Sequence, residues 1–94
     1  MSDVETDLGG LRDQIDELDG ELVALLGQRF AVTRQIGALK ASADLPSRDV
    51  ARESHQRLRL ALLADGQNID SAMVLRIFDE IVCQVIDEHD AMKE

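Results

Sequence analysis

Between Leu11 and Leu39 the chain places an apolar residue at alternating steps of four and three. Positions 11, 15, 18, 22, 25, 32, 36 and 39 are Leu, Ile, Leu, Leu, Leu, Val, Ile and Leu. A stripe of that period cannot serve a strand, whose faces alternate every second residue; it specifies a helix whose seam packs against another helix. Position 29 breaks the stripe, because the repeat asks for an apolar residue there and the chain has Arg29. An unpaired buried charge costs several kcal/mol, so an arginine in a packed seam requires an anion from the protein or from a ligand.

The seam predicts a first helix from about residue 8 to about residue 42, after a polar, acidic segment 1–7 read as disordered; residues 8–94 then form one domain. Gly27 and Gly37 inside that helix mark the close approach of another backbone or a ligand. Pro46 stops the helix, and Ser47 is a candidate cap for a second helix over about 48–64. Asp65-Gly66-Gln67-Asn68 reads as a turn with Gly66 in the left-handed conformation. Asp70 or Ser71 caps a third helix running to about 92, with Val74, Ile77, Phe78, Ile81, Val82, Val85 and Ile86 as its apolar face. The fold class is all-α, with long, short and medium helices. Two aromatic residues, both Phe, agree with an aliphatic helical core.

Length adds a constraint. Thirty-odd helical residues make a rod of roughly 45–50 Å, whereas a compact domain of this size has a diameter of about 30 Å. The overhanging seam needs a cover, and the economical one is a second copy in an interwoven helical homodimer.

The formal charge of -9, from 19 acidic and 10 basic residues, argues against nucleic acid or an anionic membrane as partner. No apolar run reaches membrane-spanning length and the N-terminus does not read as a signal peptide, so a cytoplasmic protein is expected. The single cysteine, Cys83, has no disulfide partner and no metal-ligand companions, and reads as a buried or half-buried filler. No metal and no cofactor is expected.

Several polar residues do not fit a plain coiled coil. Lys40 lies eleven residues, three turns, beyond Arg29 and about 20° out of phase, on nearly the same face. Arg12 lies off that face, within reach only from the matching helix of a dimer partner. Asp49, Arg52, Glu53 and Gln56 share one face of the second helix, either as solvated ion pairs or as a wall of one cation and two carboxylates. His89 shares the face of Phe78, Val82 and Val85 near a helix C-terminus, where a histidine is also a favourable end charge.

The ordered set Leu11-Arg12-x-x-Ile15-Asp16-x-Leu18-Asp19, Arg29, Ile36-Gly37-x-x-Lys40 and Arg48-Asp49-x-x-Arg52-Glu53 resembles the all-helical chorismate mutases, the AroQ class, over residues 8–90. The resemblance implies an isomerase of the shikimate pathway that converts chorismate to prephenate in phenylalanine and tyrosine biosynthesis. It implies that Arg29 and the partner protomer's copy of Arg12 bind the enolpyruvyl carboxylate, that Arg52 binds the ring carboxylate, and that Lys40 donates to the ether oxygen. Asp49, mainly through its backbone, and Glu53, through its carboxylate, would hold the ring hydroxyl. Such a Claisen rearrangement needs no nucleophile. It needs a flexible dianion held in its compact conformer and donors where charge grows on the ether oxygen.

Two positions depart from the family pattern. Val85 stands where the family usually has serine, and His89 where it has the glutamine that donates to the ether oxygen opposite Lys40. A histidine there predicts activity that varies with pH between about 5 and 8. The rival readings are a 4-amino-4-deoxychorismate mutase of a secondary-metabolite pathway, an isochorismate-pyruvate lyase, and a non-catalytic helical interaction module. The lyases generally lack the Arg52-Glu53 pair. With no room for a regulatory domain, feedback control or activation would come from a partner enzyme.

Overall fold

The computed structural model describes residues 3–93, in which the regular structure is three helices: α1 (Asp3–Ser42), α2 (Val50–Gly66) and α3 (Ser71–Met92). The predicted order of long, short and medium elements is observed. The chain divides into two units, Met1–Val32 and Thr33–Glu94. Among the described residues, no helix is long and apolar enough to cross a membrane.

The first unit is a stretch of α1. Its seam residues Leu11, Ile15, Leu18, Leu22, Leu25 and Val32 are 54–61% exposed in the single chain. The helix starts at Asp3, so residues 3–7, read from sequence as disordered, are helical. Asp3 and Glu5 in the first turn favour this start, because acidic side chains complement the positive end of a helix. Residues 1 and 2 of that segment, and Glu94, lie outside the described residues.

In the second unit α2 and α3 pack together. Leu60 and Ala64 are buried on α2, and α3 sets Val74, Leu75, Phe78, Ile81, Val82, Val85 and Ile86 half-buried. Ile77, predicted on that face, is 51% exposed, and Leu75 takes its place. Cys83 is exposed in the single chain, contrary to its reading as a filler.

The helix ends follow local hydrogen-bond chemistry. Asp49, rather than Ser47, caps α2: its Oδ1 accepts the Arg52 N–H at 3.0 Å. Asp70 caps α3 through the Ala72 N–H at 3.0 Å. An aspartate acceptor in this position satisfies one of the orphan donors of the first turn.

Both α1 and α2 end in the same motif. The Leu45 N–H donates to the Lys40 carbonyl at 2.8 Å and the Asp44 N–H to the Ala41 carbonyl at 3.3 Å. After α2, the Ile69 N–H donates to the Ala64 carbonyl and the Asn68 N–H to the Asp65 carbonyl, both at 3.1 Å. These are Schellman pairs, which require a left-handed residue between them. Asp44 (φ 56°) and Asn68 (φ 59°) supply it, so Gly66 is not the left-handed residue of the turn but the last residue of α2. Asn and Asp tolerate this conformation better than other side-chain-bearing residues, yet glycine adopts it more readily. Asn68→Gly is therefore expected to raise stability by about 0.5–1 kcal/mol, read as a higher urea midpoint with an unchanged slope.

Candidate active site

In the second unit, the last turns of α3 are tied to the segments that precede α2. Glu88 Oε1 accepts from Arg34 Nε at 2.7 Å. Asp90 accepts a short hydrogen bond from the Ser47 hydroxyl. The Ser47 carbonyl in turn accepts from Lys40 Nζ at 3.3 Å. Lys40, Ser47 and Asp90 thus link the end of α1, the loop and the end of α3 in one polar chain.

His89 is the buried member of this group, 3% exposed, with Nε2 2.7 Å from the Thr33 carbonyl. A carbonyl only accepts, so in the neutral ring the proton sits on Nε2. Nδ1, buried and without a hydrogen-bond partner among the described residues, is then a bare acceptor. Gly37 makes room for this ring: a Cβ at position 37 would lie 2.5 Å from His89 Cδ2 and 2.8 Å from Met92 Sδ. The close approach predicted at Gly37 is real, and what approaches is a pair of side chains. At Gly27 an added Cβ meets nothing within 4 Å.

The N-terminal turn of α2 carries the second group. Asp49 spends its side chain on capping, and its backbone carbonyl accepts the Glu53 N–H at 3.0 Å. Arg52 is exposed. Glu53 is gripped by Arg48 in a two-pronged contact, Nη2 to Oε1 at 2.7 Å and Nε to Oε2 at 3.1 Å. The hydrogen bond and then the charge of Glu53 raise the Arg48 guanidinium pKa. Sequence reasoning missed this pair because Arg48 precedes the cap, and its five-residue spacing from Glu53 is not one that faces partners on a helix.

A groove of about 340 Å³ runs between α2 and α3, lined by Arg48, Glu53, Leu60, Phe78, Val82 and Ile86 among others. Arg57 and Asp79 form a second ion pair at it. Of the residues predicted for the site, Glu53 alone lines this groove. Val85 is half-buried on α3, one turn before His89. Arg12, exposed, and Arg29, half-buried, lie on α1 in the first unit. Ser47, Asp90 and Thr33, which hold Lys40 and His89 in place, left no signal of these roles in the sequence, because Ser47 and Thr33 act through backbone carbonyls and Asp90 meets Ser47 from a distant element.

Residues 11–90 match the family described as chorismate mutase type II. The chain belongs to the chorismate mutase type II family. That match takes in all eight predicted site residues and ends at Asp90, the acceptor of the Ser47 hydroxyl. Among named relatives, the bifunctional chorismate mutase/prephenate dehydratase of Escherichia coli K12 is 33% identical over 78 residues, covering 83% of this chain and 20% of that protein. The protein of the same description from Enterobacter agglomerans is 31% identical over 72 residues, covering 77% of this chain and 19% of that protein. The chorismate mutase of Methanocaldococcus jannaschii is 27% identical over 82 residues, covering 87% of this chain and 78% of its own length. The chain therefore spans about a fifth of the bifunctional relatives.

Within this family member, the Gly37–His89 contact has a direct test. Gly37→Ala forces a buried, hydrogen-bonded ring to move, and overpacking of this kind costs about 1–3 kcal/mol. A urea denaturation midpoint lowered accordingly is the expected result.

Proposed function

We propose that the chain is a chorismate mutase that converts chorismate to prephenate and works as a homodimer. The observation that carries this reading is the family match over residues 11–90, which includes the ordered cations Arg12, Arg29, Lys40 and Arg52 in a chain of net charge -9. A few cations brought to one site suit a small dianion, while the net negative charge of the chain repels a polyanion. Guanidinium forks match planar carboxylates, and Lys40 offers a point charge.

In the rearrangement the ether C–O bond breaks as a C–C bond forms in one six-membered array of electrons. No proton enters or leaves, so the protein has only to hold the folded conformer and stabilise the ether oxygen. Arg29 and the partner's Arg12 would clamp the enolpyruvyl carboxylate, and Arg52 the ring carboxylate. Lys40, whose present contact is a neutral carbonyl at 3.3 Å, would turn to the ether oxygen.

The dimer is supported by two surfaces that suit each other. The seam Leu11–Leu25 is open in the single chain, and the groove between α2 and α3 offers Leu60, Leu75, Phe78, Val82 and Ile86. A second copy's seam laid in that groove would remove both from water and deliver its Arg12.

The test is to incubate the purified protein with chorismate and follow its conversion to prephenate. The active preparation is expected to sediment as a dimer. Arg29→Ala is expected to lower turnover by about a hundredfold or more, with the helical circular dichroism unchanged. An inactive wild type, or full activity in that variant, overturns the reading.

His89 has a test of its own. With Nε2 given to Thr33, the neutral ring has no N–H on Nδ1 to offer an ether oxygen. His89→Gln, whose side-chain amide always carries an N–H, is expected to raise turnover several-fold. Unchanged turnover in that variant would remove His89 from the site.

A further inference from the structure

We propose that Arg48 decides which ring substituent the site accepts: by occupying Glu53 it favours a substrate with an uncharged hydroxyl over one with an ammonium group. The proposal rests on the mutase reading above, in which Glu53 faces the substituent of the cyclohexadiene ring.

Arg48 sits one residue before the cap of α2, off the helix, and its side chain turns back over the first helical turn. Its two nitrogens engage both oxygens of Glu53, at 2.7 and 3.1 Å. A carboxylate held this way keeps lone pairs for one further donor, but its charge is balanced. The raised Arg48 pKa has the same cause, the hydrogen bond and charge of Glu53.

The neighbouring charges are balanced as well. Arg52 lies one residue before Glu53 and Asp49 caps the same turn. The other ionised groups lining the groove, Arg57 and Asp79, are paired with each other. The turn thus presents two cations and two carboxylates, with no surplus negative charge to attract a third cation. A hydroxyl needs only an acceptor and is indifferent to this balance. An ammonium group would sit beside the Arg48 guanidinium, a like charge within a few ångströms. Without Arg48, Glu53 would present a full negative charge, which suits an ammonium better than a hydroxyl.

The experiment measures kcat/KM for chorismate and for 4-amino-4-deoxychorismate in the wild type, Arg48→Met and Arg48→Lys. Methionine keeps an unbranched stem and removes the charge; lysine restores the charge without the fork. Wild type is expected to prefer chorismate, and Arg48→Met to shift the ratio towards the amine by roughly tenfold, the scale of one partly screened charge at short range. Arg48→Lys is expected to return most of the preference. In a Glu53→Gln background, Arg48→Met is expected to leave the ratio unchanged, because the carboxylate through which Arg48 acts is gone. A ratio unmoved by Arg48→Met, or an equal shift with and without Glu53, overturns the proposal while chorismate turnover keeps the mutase reading. A wild type that converts neither compound removes the mutase reading, and this proposal with it.

Discussion

An apolar stripe that recurs every three and four residues has to be covered, and most of what this chain does follows from that demand. Leu11, Ile15, Leu18, Leu22 and Leu25 are each more than half exposed in the single chain. Isolated helices draw little stability from their own hydrogen bonds, so a long one is held by what packs on its apolar face. The same chain carries an apolar groove between α2 and α3 with no large aromatic core to fill it. These two surfaces are what the proposed dimer would cover, and Arg29 within the stripe would then lie in its interior.

The polar side chains divide by what holds them. Lys40 and His89 are positioned through backbone carbonyls, those of Ser47 and Thr33, and the loop is pinned to α3 by the Ser47–Asp90 hydrogen bond. Glu53 is positioned by a guanidinium. The distinction matters chemically. A carbonyl contact leaves the lysine charge intact and available to a developing anion, whereas the Arg48 fork balances the Glu53 charge and leaves it an acceptor. His89 is a third case: its neighbour fixes the tautomer, and the tautomer fixes which nitrogen can donate.

Much of the architecture was legible before any coordinates. The heptad stripe, Pro46 and the Asp70–Ser71 pair place three helices close to where they lie. The errors have local physical causes. Gly66 is the residue that usually marks a helix end, but the Schellman hydrogen bonds fall two residues later and put Asn68 in the left-handed position. Ser47 has the composition of a cap, but Asp49 is in register with the Arg52 N–H, which frees Ser47 for Asp90. The start at Asp3 was hidden by the polar, acidic composition of residues 1–7, in which Asp3 and Glu5 act as a favourable first helical turn.

The sequence by itself determined the helical class, the order of the elements and the identity of the cations, because period and residue type are local properties that survive in a string of letters. Only the tertiary structure decided their partners. That His89 gives Nε2 to Thr33, 56 positions away, and that Gly37 is the space its ring occupies, depend on which turn of α1 meets the end of α3. That Arg48 rather than Arg52 takes the Glu53 carboxylate depends on where the cap falls. A hydrogen bond is decided within tenths of an ångström, and packing sets that scale where sequence spacing does not.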